Sequence, residues 1–287
     1  MGASDPDETA APAGPARLGL ARSGPTRLAA AAARRGARLV EQLLRAIDAG
    51  EAFLAFQPVH HAHDRGRVLF HEGLFRFRDA SGAEVPARDF MPAAERTPAA
   101  QAVDRAALAL ALRELADAPG LRLSVNLSAR TVGDPEWRAI LRAAAARDPA
   151  IGRRLVVEIT ESSALGLPGL VLETMAELRA HGVTLALDDF GAGHSSLGYL
   201  KDYRFDILKI DGRFAAGIDS DPDSRALVAP VVALARHFGM LTVAERVETE
   251  AQALAFAALG MDALQGFHLG RPAARPLWRT EARREAI

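Results

Sequence analysis

Short β-rich segments alternate with longer segments of helical periodicity along most of this chain of 287 residues. The eight β-rich segments are found at residues 54–59, 68–77, 121–127, 155–159, 184–187, 207–210, 241–244 and 263–267. The segments with helical spacing are found at residues 36–49, 104–115, 136–146, 170–181, 224–238 and 250–259. Such alternation is typical of repeated βα units around a mostly parallel sheet. It restricts the fold to a closed (β/α)8 barrel or an open doubly wound sheet.

Residues that start or stop helices flank several of these segments. Asp104, Asp134 and Ser224 are placed to act as N-terminal caps, because their side chains can accept hydrogen bonds from the first free backbone N–H groups. Gly182 and Gly239 follow helical segments, where a left-handed terminator is expected before the next strand.

One ionisable or amide side chain stands at or just past the end of strand after strand. The residues with this property are Glu72, Asn126, Glu158, Asp188, Asp189, Lys209, Glu245 and Gln265. In a (β/α)8 barrel the C-terminal ends of the strands converge on one rim, where catalytic groups are found. The eight strands and the expected ring of polar groups favour the closed TIM-like barrel over the open sheet.

The composition of this ring indicates a metal site. Carboxylates and an amide oxygen, without cysteine or histidine, are ligands suited to Mg²⁺ or Mn²⁺. The adjacent Asp188 and Asp189 can hold two ions, which together stabilise the attacking and leaving oxygens of a phosphodiester. Lys209 adds a positive charge beside them. Any one acid at a strand end is more often a cap or a solvated loop residue, so the prediction rests on the whole set.

Composition and charge limit the other possibilities. The chain has no cysteine, which excludes disulfides and thiolate metal sites. Its formal net charge of -1 gives no long-range attraction to a DNA or RNA polymer or to an anionic membrane. We find no apolar stretch long enough to span a membrane, so we predict a cytoplasmic protein. Residues 1–35 are predicted to be a disordered Ala/Pro/Arg-rich tail, and residues 36–287 the folded domain.

Eight short motifs occur along the folded part of the chain. They are QP at 57–58, EGLFR at 72–76, VNLS at 125–128, EITES at 158–162, LDDFGAG at 187–193, LKID at 208–211, AERVET at 244–249 and QGF at 265–267. In order and spacing they resemble the motifs of EAL-domain cyclic di-GMP phosphodiesterases. The resemblance implies a TIM-like barrel, with one antiparallel strand possible in this fold, that hydrolyses cyclic di-GMP to linear pGpG as a homodimer.

The resemblance also assigns roles to individual residues. The metal ligands for two divalent cations, Mg²⁺ or Mn²⁺, would be Glu72, Asn126, Glu158, Asp188, Asp189 and Glu245. The catalytic residues would be Glu245 as general base or second-site ligand, Lys209 at the attacking water, and Asp189 at the second metal. The substrate-binding residues would be Gln57, Arg76 and Gln265. Glu161 and Glu248 would anchor the loop at residues 189–196.

Three positions depart from the pattern that the resemblance implies. Gly73 stands where alanine is usual, Arg246 where glycine is usual, and Phe77 where tryptophan is usual. None of these changes removes a ligand, but Gly73 and Arg246 lie beside ligands. A second interpretation therefore stays open, in which the barrel binds cyclic di-GMP as a sensor or interaction module without cleaving it.

Overall fold

The computed structural model describes residues 27–192 and 197–274. The strands are β1 (Phe53–His61), β2 (Val68–Arg78), β3 (Glu84–Pro86), β4 (Leu123–Leu127), β5 (Leu155–Thr160), β6 (Thr184–Phe190), β7 (Ile207–Ile210), β8 (Leu241–Ala244) and β9 (Ala263–Leu264). The α-helices are α1 (Arg27–Asp48), α2 (Ala87–Ala94), α3 (Ala99–Asp117), α4 (Pro135–Arg147), α5 (Glu161–Gly166), α6 (Pro168–Ala180), α7 (Pro222–His237) and α8 (Glu250–Ala258).

Eight of these strands close into a barrel. The order around the sheet is β1-β9-β8-β7-β6-β5-β4-β2, and β1 pairs with β2 to join the two ends. β3 pairs with β2 outside this ring. β1 is antiparallel to both of its neighbours, whereas the other pairs around the barrel are parallel. The predicted (β/α)8 barrel with one reversed strand is confirmed, and the open sheet is excluded.

A layer of apolar side chains fills the barrel interior on the side away from the C-terminal strand ends. Its buried members are Val59, Phe70, Val156, Ala186, Ile207, Val243 and Ala263. Because alternate residues of a strand share a face, the residue two positions along lies on the same inner face. Val156 thus precedes Glu158, Ile207 precedes Lys209, and the same step links the other strands to their polar residues. The polar ring therefore sits on this apolar layer.

A second and larger core lies between the barrel and its helices. Trp137, Leu108, Phe90 and Phe256 are each at most 1% exposed there. Burial of such a side chain stabilises the fold by about 1.5–3 kcal/mol. This outer core holds the strands in register, and it thereby fixes the ends that carry the site.

The helix starts differ in part from their predictions. Asp134 caps α4 as predicted, because its side chain accepts from the N–H groups of Glu136 and Trp137. The prediction that Asp104 caps a helix is wrong. Asp104 lies buried inside α3 and accepts hydrogen bonds from the Ser128 N–H at 2.9 Å and the Ser128 hydroxyl at 2.6 Å. It holds the turn that follows β4.

The structured region begins earlier than predicted. α1 starts at Arg27, inside the segment predicted to be the tail, and residues 1–26 lie outside the described part of the chain. The division into a tail and a folded domain stays a prediction. Alanine dominates the first turns of α1, and alanine has the strongest intrinsic preference for a helix. Gly36 allows α1 to approach α2 closely, since a Cβ atom at residue 36 would lie 2.9 Å from Ala93 Cβ. None of the helices described is both long and apolar enough to cross a membrane.

Candidate active site

Lys209 lies at the centre of the polar ring and contacts four carboxylates. Its Nζ atom is 2.5 Å from Glu158, 2.7 Å from Glu245, 3.0 Å from Asp188 and 3.7 Å from Glu72. The Lys209 side chain is 1% exposed. These five residues come from β2, β5, β6, β7 and the position directly after β8, so the barrel brings them together from separate parts of the chain.

Three amide side chains complete the ring on the side of Glu72. Asn126 donates to Glu72 Oε1 at 3.1 Å, and Gln265 donates to Glu72 Oε2 at 2.6 Å. Gln265 also donates to Gln57 Oε1 at 3.3 Å, and Gln57 donates to the Gly270 carbonyl at 3.0 Å. Asn126 of β4 and Gln265, directly after β9, therefore fix Glu72 at both oxygens.

The ring holds more negative than positive charge. Burial alone would lower the pKa of Lys209, but the carboxylates of Asp188, Glu158, Glu245 and Glu72 outweigh it and raise that pKa well above its usual value. Burial raises the pKa of Glu158 to about 8, against the attraction of Lys209, and the Glu72 and Asp188 charges add to the rise. Burial likewise raises the pKa of Glu245 well above its usual value. Without further cations the ring retains protons.

The pKa values of Glu72 and Asp189 shift in opposite directions. Burial opposes ionisation of Glu72, but Lys209, Gln265 and Asn126 outweigh it and lower the pKa of Glu72. Burial and the charge of Asp188 raise the pKa of Asp189 to about 6. Glu72 therefore ionises more readily than a free glutamate, whereas Asp189 ionises less readily than a free aspartate.

The donor atoms fit divalent cations. Asp188, Asp189 and Glu245 each place a carboxylate oxygen so that these atoms lie within 4.8 Å of one another. Among the described residues, Glu158 Oε1 and Gln265 Oε1 are buried and accept no hydrogen bond. A buried oxygen without a partner is costly unless a ligand satisfies it. Hard oxygen donors of this kind suit Mg²⁺ or Mn²⁺.

A pocket of about 350 Å³ opens beside the ring. Its lining includes the ring residues Glu72, Glu245 and Gln265, together with Gln57, Arg76, Arg88, Arg246, Glu248 and Phe267. Arg76, predicted to bind substrate, thus lies at the pocket and outside the ring. Arg88 and Phe267 were not predicted. Arg88 reaches the pocket from α2, which has no local sequence pattern that marks it as part of a site. Phe267 reaches the pocket from the turn after β9, where it is the last residue of the motif QGF.

The two residues predicted to anchor a loop differ in their contacts. Glu161 accepts a hydrogen bond from the Gly191 N–H at 3.1 Å, so it holds the start of the loop after β6. Glu248 is exposed and lines the pocket. Residues 193–196 of that loop lie outside the described residues, so the anchoring pair stays a prediction.

Comparison with known proteins places this geometry in a family. The family model described as EAL domain matches residues 40–272. The chain belongs to the EAL domain family. The bifunctional diguanylate cyclase/cyclic di-GMP phosphodiesterase MucR of Pseudomonas aeruginosa is 34% identical over 82% of this chain and 35% of its own length. The cyclic di-GMP phosphodiesterase PdeF of Escherichia coli is 32% identical over 82% of this chain and 32% of its own length. The chain spans about a third of the length of these curated relatives.

Solved EAL structures have the same fold. The phosphodiesterase of MucR, in complex with c-di-GMP, superposes with a TM-score of 0.75 at 34% identity, covering 82% of this chain and 97% of that one. The FimX EAL domain of Xanthomonas citri, in complex with c-diGMP, superposes with a TM-score of 0.77 at 25% identity, covering 86% of this chain and 98% of that one.

The EAL motif itself contains the first departure. A Cβ atom at Gly73 would lie 3.1 Å from the Ser124 carbonyl oxygen and 3.2 Å from Leu54 Cδ1. Such contacts are tighter than ordinary van der Waals packing, so glycine relieves crowding between β2, β1 and β4. Glu72, the residue directly before Gly73, still accepts its hydrogen bonds from Gln265 and Asn126.

Proposed function

We propose that this EAL domain hydrolyses cyclic di-GMP to linear pGpG in a reaction that depends on two divalent cations, Mg²⁺ or Mn²⁺. The observation that carries the proposal is the buried ring of four carboxylates around Lys209 at the mouth of the barrel, with a pocket beside it. Support also comes from MucR and PdeF, whose names include this activity, and from the complex of MucR with c-di-GMP.

The ring and its neighbours supply the cation ligands. One ion would be held by Glu72, Asn126, Glu158 and Asp188, and the second by Asp188, Asp189 and Glu245. Gln265 supports the first group through its hydrogen bond to Glu72. Bound cations would add positive charge that polarises the phosphate and makes a water molecule more acidic.

The remaining chemistry belongs to residues of the chain. Glu245, 2.7 Å from Lys209, is placed to accept the proton of the attacking water. Lys209 orients that water and balances charge on the phosphate. The water oxygen bonds to phosphorus, the bond from phosphorus to the 3′ oxygen breaks, and that oxygen is protonated. Gln57 and Arg76 hold the dinucleotide in the pocket.

Incubation of the purified protein with cyclic di-GMP and Mg²⁺ or Mn²⁺ tests the proposal. We expect pGpG to form, and we expect Glu72→Gln to lower kcat by at least about 100-fold, because the ring loses a charged ligand. Glu41→Gln, an exposed change on α1, is the control and should retain activity. Absence of product from wild-type protein with either metal would reject the proposal.

A second candidate function is binding without hydrolysis. Lys209 already neutralises part of the ring from within, so the pocket can keep its shape without cations. In that case cyclic di-GMP binds with measurable affinity and no pGpG appears at any Mg²⁺ or Mn²⁺ concentration. Normal turnover excludes this function.

We further propose that the domain works as a homodimer in the cytoplasm. Four leucines on α5, on α6 and between these two helices are between 36% and 42% exposed, namely Leu165, Leu167, Leu170 and Leu172. An apolar patch of this kind is typical of a protein interface. We expect Leu172→Glu to shift the molar mass measured by light scattering from dimer to monomer. A monomeric wild-type protein would contradict the proposal.

A further inference from the structure

Arg246 has an uncommon backbone conformation at the mouth of the pocket. Its φ angle is 51°, and Asp189 is the other non-glycine residue with positive φ in the described ranges. Side chains other than hydrogen are disfavoured in this region because Cβ crowds the following carbonyl oxygen. Such strain persists where the surrounding structure enforces it, and it is found most often at functional sites.

The turn after β7 leaves room for the Arg246 side chain. A Cβ atom at Gly212 would lie 2.3 Å from both Cγ and Cδ of Arg246, and 2.6 Å from its Cβ. Gly212 opens the 3-10 turn Gly212–Ala215 after β7, capped by the side chain of Asp211. The aliphatic part of Arg246 therefore lies against the Gly212 backbone, and this contact fixes the direction of the side chain.

The guanidinium of Arg246 is left available to a ligand. Arg246 is exposed and lines the pocket together with Glu245 and Glu248. Within residues 27–192 and 197–274 it forms no hydrogen bond or salt bridge. Arg76, by comparison, donates to the Phe75 carbonyl. A guanidinium carries five N–H donors in a planar fork that matches the oxygens of a phosphate.

We propose that Arg246 binds a phosphate of the cyclic dinucleotide, on the part of the substrate that stays outside the buried ring. The proposal rests on the function proposed above. The ring would hold cations at one phosphodiester, and the second phosphodiester of the dinucleotide brings another negative charge to the mouth. Because Arg246 is exposed at the mouth, it contributes to substrate affinity, and the chemical step depends on the buried residues.

Steady-state kinetics with cyclic di-GMP tests the role of the charge. We expect Arg246→Ala and Arg246→Gly to raise KM about 10-fold with kcat within about twofold, the effect of one lost charge-assisted hydrogen bond. Arg246→Lys should fall between these variants and wild type, because it keeps the charge and loses the fork. Arg113→Ala, at an exposed arginine of α3, is the matched control and should leave KM unchanged. An unchanged KM in both Arg246→Ala and Arg246→Gly would overturn the proposal.

Two further comparisons separate binding from backbone strain. Arg246→Gly removes the strain and Arg246→Ala keeps it, so the glycine variant should melt about 2–4 °C higher than the alanine variant at equal KM. Gly212→Ala should displace the arginine and raise KM by itself, but it should add little in the Arg246→Gly background. Equal effects of Gly212→Ala in both backgrounds would show that Gly212 does not act through Arg246.

Equilibrium binding of cyclic di-GMP in EDTA separates this proposal from the proposed function. If wild-type protein makes no pGpG with Mg²⁺ or Mn²⁺ but its Kd in EDTA depends on Arg246, hydrolysis is rejected and the Arg246 contact stands. If wild-type protein hydrolyses the dinucleotide and neither Kd nor KM changes in the Arg246 variants, the contact is rejected and hydrolysis stands. If wild-type protein neither binds nor hydrolyses it, both proposals are rejected.

Discussion

Lys209 is the residue on which the rest of the site depends. Its ammonium group is buried among carboxylates whose mutual repulsion it reduces. The sequence pattern predicts that Lys209 lies beside the acids, because they all occupy inward positions near strand ends. It does not predict that one lysine reaches four of them, since side-chain distances depend on barrel closure. Arg88 could not be predicted for a related reason, because α2 approaches the pocket only through tertiary packing, whereas Phe267 lies in the motif QGF.

Removal of the Lys209 charge should destabilise the protein strongly. Lys209→Met leaves four buried carboxylates without their counter-ion, and loss of one partner from a buried ion pair costs about 3–5 kcal/mol. We expect urea denaturation in EDTA to show this loss, and Mg²⁺ to recover part of it. Lys201→Met, at an exposed lysine, serves as the control. Equal midpoints for wild type and Lys209→Met would show that the ring does not need the lysine.

Asp104 predicts a dependence of stability on pH away from the site. Burial raises the pKa of Asp104 to about 6, against the hydrogen bonds from Ser128 and Thr131. A carboxyl group with a raised pKa in the folded state stabilises the protein fully below its unfolded pKa, and this contribution is lost as pH rises through the folded value. Asp104→Asn cannot ionise, so its stability relative to wild type should increase between pH 4 and pH 7.

The expected change for Asp104→Asn is on the order of 3 kcal/mol, from a rise of about two pKa units. Thermal melts across this pH range measure it, with Asp117→Asn as the exposed control on the same helix. Parallel curves for wild type and Asp104→Asn would contradict the raised pKa.

The long elements are predicted well from sequence, and the short ones are not. α3, α4, α6, α7 and α8 each contain most of the segment predicted for them, because each has enough turns to show helical spacing. β3, α2 and α5 have 3, 8 and 6 residues, too few to establish a period. They matter to function, since Pro86 and Arg88 line the pocket and the exposed leucine patch begins on α5.

The cap of α4 provides a test at the scale of one element. Asp134 has a fully buried carboxylate that accepts from two backbone N–H groups and pairs with Arg105 at 2.7 Å. We expect Asp134→Ala to lower the free energy of unfolding by about 2 kcal/mol. Asp134→Asn keeps the acceptor for the cap and should lose much less. If both variants lose the same amount, the charge pair with Arg105 matters more than the cap.

Few backbone pairs join β1 to β9, and we call this place the seam of the barrel. β9 has two residues, and β1 pairs with it only through His60 and His61. The proposed ligands come from β2, β4, β5, β6 and the position after β8, so bound cations would connect strands across the mouth. The number of strands and their alternation with helices predict that the barrel closes. The sequence does not predict how few hydrogen bonds join β1 to β9, because their number depends on the folded chain.

Cation binding should therefore stabilise the whole barrel. At a free Mg²⁺ or Mn²⁺ concentration about 100-fold above Kd, binding adds about 2.7 kcal/mol, which raises Tm by about 5–10 °C. EDTA should reverse the rise, and Asp188→Asn should abolish most of it because Asp188 is the proposed shared ligand. A Tm that is the same in EDTA and in either metal would contradict the proposed site.

The reversed strand β1 decides at which end the chain enters the barrel. Phe53, the first residue of β1, pairs with Arg76, which lies beyond Glu72 toward the C-terminal end of β2. The polypeptide therefore arrives from α1 on the same side as the substrate entrance. α1 also packs on α2, whose Arg88 lines that entrance. A domain attached ahead of α1 would be tethered to the working end of the barrel, with a mechanical link of one helix to the residues that receive the dinucleotide.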